Sequence, residues 1–200
     1  MQWATTRAAA RGGHDMRHWG WAAFGMIVMS GCGDSGGEDS SQEPPQGRVA
    51  IEAWLAGGDY LSWHCEAAVH KSRTPSPHGF NRICSNDAIA AHASGTADWP
   101  EGAAAVKELY ASETATTPVG YAVYYKAADD SAGGANWYWY ERVPLDSDAP
   151  HDATTGVVAD GMGDSGNAFD ICVGCHKGAG SDALHTPTAG GRDQVYTPVK

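Results

Sequence analysis

The segment Cys172-Val173-Gly174-Cys175-His176 is the stretch around which the chain is organised. Two cysteines three positions apart, followed directly by a histidine, form the attachment signature of c-type haem. One turn of helix brings both thiols to the vinyl groups of the macrocycle and places the histidine under the iron as proximal axial ligand. The motif therefore predicts one covalent haem c, held by Cys172 and Cys175 and ligated through its iron by His176.

Three other uses of a Cys-x-x-Cys pair compete with this interpretation: a structural disulfide, a thioredoxin-like redox pair and half of a zinc site. A zinc ribbon requires a second Cys or His pair, and the chain has no other Cys-x-x-Cys. A thioredoxin motif follows a strand, whereas the glycine-rich flanks 161–163 and 178–180 indicate loops. Haem attachment is favoured, provided that the chain is exported.

The N-terminal residues predict export. Arg7, Arg11 and Arg17 precede a short apolar run over 19–30, which is typical of a signal peptide and too short for an ordinary membrane span. Ser30-Gly31-Cys32 resembles the lipobox of bacterial lipoproteins. We expect residues 1–31 to be a lipoprotein signal peptide and Cys32 to be lipidated; the alternative is an ordinary signal peptide that leaves Cys32 as a spare thiol.

The stretch 32–48 is rich in Gly, Ser, Pro and acidic residues, which predicts a flexible tether. The domain that follows, 49–200, is then held by lipid at the periplasmic side of a bacterial membrane. Because Asp34 is not adjacent to Cys32, no clear inner-membrane retention signal is present, and the outer membrane is favoured.

The cysteine count and the net charge restrict the compartment and the partners that the chain can have. Of five cysteines, Cys65 and Cys84 remain after lipid and haem are assigned, so we expect a disulfide between them in an oxidising compartment; two buried free thiols are the alternative. The net charge of −11 argues against binding to nucleic acid or to anionic membrane surfaces and allows a basic redox partner.

The residues between these markers predict a mainly β (α+β) fold, an antiparallel sheet with a few short helices that carries one c-type haem. Strands are expected over 80–85, 104–111, 120–126 and 136–143, from apolar alternation and from Tyr, Trp and Val enrichment. A short helix is expected over 86–94 and a helical turn over 63–70. The segment 48–55 is ambiguous between helix and strand, and 144–167 is expected to be a long loop.

Four segments carry a resemblance to a known family: 105–110 (AVKELY), 136–140 (NWYWY), 172–177 (CVGCHK) and 195–197 (VYT). In order and approximate spacing they resemble the cytochrome P-460 family, over about residues 61–199. The resemblance implies a mainly β fold with one c-type haem, often as a homodimer, that oxidises hydroxylamine. A sister branch, the cytochromes c′-β, binds nitric oxide and similar gases on the same fold.

The resemblance also implies roles for single residues. The lysine that is cross-linked to the macrocycle in true P-460 cytochromes corresponds to Lys107; the alternative is a solvent-exposed lysine on a sheet edge. A distal general base is expected upstream of the haem motif, where Asp164 is preferred over Asp160 and Asp170; surface acids are the alternative. Other iron ligands to be considered are Met162, His78 and His64.

Three functions follow from these expectations. The first is an oxidoreductase acting on hydroxylamine or a related small nitrogen compound. The second is a gas-binding protein without turnover. The third is a lipid-anchored electron carrier whose two axial positions are both filled.

Overall fold

The structure, a computed structural model, describes residues 43–73, 76–181 and 183–200. The predicted signal peptide 1–31, the lipidated Cys32 and most of the predicted tether lie outside the described residues. Within the described ranges, no helix combines the length and the apolar character that a membrane crossing requires.

A seven-stranded sheet forms the centre of the described domain, and every strand pair in it is antiparallel. The strands follow the order β1-β3-β4-β5-β6-β7, with β2 also paired to β3. This confirms the predicted mainly β fold. The strands are β1 His64–Cys65, β2 His70–Lys71, β3 Phe80–Ser85, β4 Ala104–Tyr110, β5 Gly120–Lys126, β6 Trp137–Arg142 and β7 Val157–Met162.

Two helices flank the sheet. Helix α1, Arg48–Gly57, ends at Gly58, whose φ of 75° is in the left-handed region that glycine adopts without steric cost. Helix α2, Asp87–His92, begins at Asn86, whose side chain accepts a hydrogen bond from the Ile89 amide. The C-terminal part carries a π-helical turn, Ala168–Val173, that continues into the short helix α3, Gly174–His176.

The two faces of the sheet pack against different partners. Ala105, Tyr124 and Trp139 pack with Cys172 and Val173, and we call this side the motif face. On the other side, the helix face, α1 packs on the sheet. The apolar residues of that cluster include Ile51, Leu55, Ala104, Val106, Val123, Tyr138 and Tyr140. Because side chains alternate along a strand, Lys107 shares the motif face with Ala105.

The structure differs from the sequence expectations in three places. Residues 63–70 contain short strands rather than a helical turn, because β1 and β2 pair with β3. The expected loop 144–167 contains β7. Residues 43–47 of the expected tether contact the sheet, since Glu43 accepts a hydrogen bond from Tyr125 at 2.9 Å and the Gly47 amide donates to Tyr138 at 2.9 Å.

Candidate functional site

Two neighbouring clefts open beside the motif face, with volumes of about 600 and 500 Å³ that include the solvent-filled space at their mouths. The residues that line both of them are Pro77, His78, Lys107, Cys175 and His176. Cys172 lines the second cleft. The structure thus brings the predicted haem-attachment residues and Lys107 to one place.

The two motif cysteines are free thiols in different environments. Cys172 is buried and Cys175 is exposed. Burial raises the pKa of Cys172 to about 12, and the nearby charge of Glu141 adds to this shift. Cys172 is therefore a protonated thiol at neutral pH, and Cys172 and Cys175 line the same cleft.

His176 is held in one tautomer by the backbone. Its Nδ1 lies 2.6 Å from the carbonyl oxygen of Gln194. A carbonyl oxygen only accepts, so Nδ1 carries the proton and Nε2 keeps its lone pair. Burial lowers the pKa of His176 to about 3, with the charge of Lys107 contributing, so the ring is neutral at physiological pH.

Aromatic rings enclose this imidazole. The ring of Trp139 meets it edge-on with centroids 4.7 Å apart, and Tyr196 does so at 5.4 Å. Tyr124 is tilted against it at 6.0 Å. Trp139 and Tyr124 come from adjacent strands, directly opposite each other in the register. The aromatic strands predicted from sequence therefore form the wall behind His176.

Lys107 lies in the middle of the sheet, not on its edge, because β4 is flanked by β3 and β5. In the register it stands beside Ile83 on one strand and Ala122 on the other. Burial lowers the pKa of Lys107 to about 8, although Glu141 and Glu66 act in the opposite direction. A substantial fraction of the amine is neutral near that pH.

A histidine–carboxylate pair faces the same space. His78 Nδ1 lies 3.3 Å from Glu141 Oε1, and only 10% and 12% of their side chains are exposed. Glu141 is two strands from Lys107 in the same register row, with Ala122 between them. Sequence reasoning missed Glu141. The available signal was its position two residues after Trp139, which places both side chains on the same face of β6.

The three upstream aspartates lie elsewhere. Asp164 is exposed, accepts a hydrogen bond from Ser165 Oγ at 3.0 Å and lines neither cleft. Asp160 accepts from Tyr138 on the helix face at 2.6 Å. Asp170 is exposed on the π-helical turn. The structure therefore does not bring Asp164, the preferred distal base, to the site.

Of the three alternative iron ligands, His78 lies at the clefts, whereas His64 and Met162 lie elsewhere. His78 lines both clefts. His64 pairs with Asp87 at 2.8 Å on the surface. Met162 packs against the helix-face cluster.

A disulfide joins the ends of the segment that supplies part of the cleft lining. Cys65 and Cys84 stand opposite each other in β1 and β3 and are bonded with an S–S distance of 2.02 Å. The segment that they enclose contributes several cleft-lining residues, Glu66, His70, Pro77, His78 and Ile83.

The residues present fit a c-type haem. Cys172, Cys175 and His176, whose Nε2 carries no proton, line a cleft whose other walls are largely apolar, among them Ala122, Val123 and Ile171. Trp139, which lines this cleft, has a buried Nε1 with no hydrogen-bond partner among the described residues. The described part of the chain holds no cluster of three or more His, Cys, Asp or Glu for a bare metal ion. A haem requires no such cluster, because its porphyrin supplies four nitrogen ligands.

Comparison of the chain with protein-family models, with curated proteins and with solved structures finds no match.

Proposed function

We propose that the chain is a c-type cytochrome of the P-460 kind that oxidises hydroxylamine or a related small nitrogen compound. One observation carries the proposal: Cys172, Cys175 and His176, whose Nε2 is unprotonated, line one cleft together with Lys107. The two thiols would each add across a vinyl group, sulfur to one carbon and hydrogen to the other. The bound haem would supply a redox-active iron that accepts small ligands.

Lys107 is assigned to the macrocycle cross-link. A neutral amine is the nucleophilic form of lysine, and burial favours that form here. Replacing a C–H and an N–H bond by a C–N bond releases two protons and two electrons, so this linkage requires an oxidant such as hydrogen peroxide. Without the linkage, the protonated amine of Lys107 is stabilised by the negative charges of Glu141 and Glu66.

Glu141 and His78 are assigned to proton transfer. Oxidation of hydroxylamine releases protons, and a positioned base accelerates such steps. Glu141 lines the cleft, and its Oε1 lies 3.3 Å from His78 Nδ1. Because an ionised carboxylate only accepts hydrogen bonds, Nδ1 carries the proton and donates to Glu141, which leaves His78 Nε2 as the nitrogen that can take up a further proton. Glu141 takes this role in place of Asp164, which is exposed outside both clefts.

The test is an absorption spectrum, oxidised and reduced, of the full chain made in a host with c-haem maturation. A red-shifted, broadened reduced Soret band supports the Lys107 linkage, and the Lys107→Met variant is then expected to revert to an ordinary haem c spectrum. Lys177→Met, at an exposed lysine directly after the motif, is the matched control and leaves the spectrum unchanged.

Other outcomes separate the competing functions. An ordinary haem c spectrum in the unmodified chain overturns the enzyme proposal. A five-coordinate spectrum that responds to nitric oxide then identifies a gas-binding protein. A six-coordinate low-spin spectrum in both redox states identifies an electron carrier. Absence of covalent haem overturns all three.

We also propose export with a lipid anchor on Cys32. The chain is then expected in the membrane fraction, and Cys32→Ser is expected to move it to the soluble periplasmic fraction. Membrane association that survives this substitution contradicts the anchor.

A further inference from the structure

The Gln194 carbonyl oxygen that accepts the hydrogen bond from His176 belongs to a tight turn. Arg192 and Val195 exchange two backbone hydrogen bonds, at 2.9 and 2.8 Å. Between them, Asp193 and Gln194 have φ angles of 41° and 70°. These angles lie in the left-handed region, which costs energy in residues other than glycine and persists only where the surroundings impose it. The carbonyl that bonds His176 belongs to Gln194, inside this turn.

A buried polar network imposes the turn through the side chain of Asp193. Its Oδ2 lies 2.9 Å from Lys126 Nζ and accepts from the Trp99 amide at 3.1 Å. Its Oδ1 accepts a hydrogen bond from Ser131 Oγ. The Lys126 and Asp193 side chains are 0% and 4% exposed. Such pairs contribute little net stability but can fix one geometry.

The network connects the turn to the sheet. Lys126 is the last residue of β5, and Ser131 lies in the connection from β5 to β6. Ser131 also accepts from Trp137 Nε1 at 3.0 Å. Gly134 in the same connection is so close to the motif that an added Cβ would lie 2.7 Å from a Val173 methyl. One connection therefore contacts both the turn and the motif.

We propose that Asp193, held by Lys126 and Ser131, is a positioning residue for His176. By fixing the Gln194 carbonyl, the network sets the tautomer and orientation of the imidazole. It also strengthens Nε2 as an electron-pair donor to a metal, as outer-shell hydrogen bonds do for metal-bound histidines. The effect on iron rests on the proposed function, whereas the effect on the imidazole does not.

The first experiment uses the full chain made without haem maturation. A long-range ¹H–¹⁵N NMR spectrum at pH 7 is expected to show His176 protonated at Nδ1 alone. In Asp193→Asn and Ser131→Ala the signals are expected to shift toward a mixture of tautomers. Ser131→Ala changes no charge, so it separates positioning from electrostatics. An unchanged single tautomer in both folded variants overturns the inference, and if Asp193→Asn does not fold, Ser131→Ala decides alone.

The matched control is Glu108→Gln. Glu108 is also a buried carboxylate in an ion pair, with Arg82 Nε at 2.6 Å, but it is on the helix face. Its substitution is expected to lower stability and to leave the His176 signals unchanged. An equal change of tautomer in this control would mean that loss of any buried ion pair disturbs His176 through general destabilisation of the fold. That result would overturn the inference.

The second experiment uses the haem-loaded chain. Both network variants are expected to shift the reduction midpoint to more positive values and to lower the iron–histidine stretching frequency, because a weaker Nδ1 hydrogen bond makes Nε2 a poorer donor. Glu108→Gln is expected to change neither. Unchanged values in both network variants overturn the inference. If the parent chain binds no covalent haem, the proposed function fails and the tautomer experiment alone decides the positioning role.

Discussion

At the scale of single residues, two carboxylates are candidates for the distal base. Sequence reasoning favours Asp164 as the distal base, and the structure places Glu141 in the cleft instead. Glu141→Gln keeps the shape but removes the base, so we expect hydroxylamine oxidation to fall by about 10²- to 10⁴-fold, with haem content unchanged. Steady-state assays on haem-normalised protein measure this.

Asp164→Asn is the matched comparison, because it makes the same chemical change outside both clefts. We expect its turnover to equal that of the parent chain. The opposite pattern, loss in Asp164→Asn and full activity in Glu141→Gln, would return the proton-transfer role to the loop.

At the scale of elements, the segment after β7 packs against the segment 172–176 and so affects its position. Gly163 follows Met162, and a Cβ at Gly163 would lie 2.1 Å from the Gly134 carbonyl oxygen and 2.7 Å from a Val173 methyl. Gly163→Ala must therefore push the connection 131–134 away from the motif. We expect a loss of about 1–3 kcal/mol in the free energy of unfolding, as in other overpacked sites, measured by urea denaturation.

Gly174→Ala is the control on the motif itself. Gly174 is helical, and its added Cβ would meet its nearest atom, the Phe169 carbonyl oxygen, at an ordinary 3.6 Å. We expect it to be neutral or to stabilise by up to about 1 kcal/mol. Equal destabilisation by both substitutions would mean that the close approach at Gly163 is not what matters.

At the scale of the whole molecule, the disulfide joins the first part of the sheet to β3. Cys65 and Cys84 are separated by 19 positions, and closing a loop of that size stabilises a fold by about 3 kcal/mol. We expect the Cys65→Ala/Cys84→Ala double variant to melt at a lower temperature while still attaching haem. A reductant is expected to lower the melting temperature of the parent chain and not of the variant; a reductant effect of equal size on both would contradict this.

The pH dependence of stability is expected to depend on Glu108. Burial alone would raise the pKa of this carboxyl, but hydrogen bonds from Arg82, Tyr60 and Tyr110 outweigh burial and lower it. Since its folded-state pKa lies below the unfolded-state value of about 4.3, ionised Glu108 stabilises the fold above that pH. This stabilisation is lost as pH falls through the lowered folded-state pKa.

Urea denaturation between pH 7 and pH 3 measures the effect. The parent chain is expected to exceed Glu108→Gln in stability at pH 7, with the difference shrinking in acid. A difference that is constant with pH would show that the carboxyl is not the titrating group.

Much of the sheet can be predicted from local sequence patterns. The strands over 80–85 and 120–126 match the expected bounds, because Tyr, Val and alternating apolar residues favour strands wherever they pack. Strand β7 was missed because its segment, Val157–Met162, contains Asp and Gly and is bounded by a long polar loop. The 63–70 segment was assigned wrongly because two-residue strands depend on their partner, β3, and not on local propensity.

The order of residues is enough to predict the local chemistry: a thiol pair with an adjacent histidine, strands of fixed period, and a lysine in phase with Ala105 on β4. Which distant groups surround these residues depends on how the chain folds. The carbonyl of Gln194 bonds His176 across 18 positions, and Glu141 comes within reach of His78 across a chain separation that no local pattern encodes. Covalent spacing and side-chain period act over a few residues, whereas register and burial bring together groups that are distant along the chain.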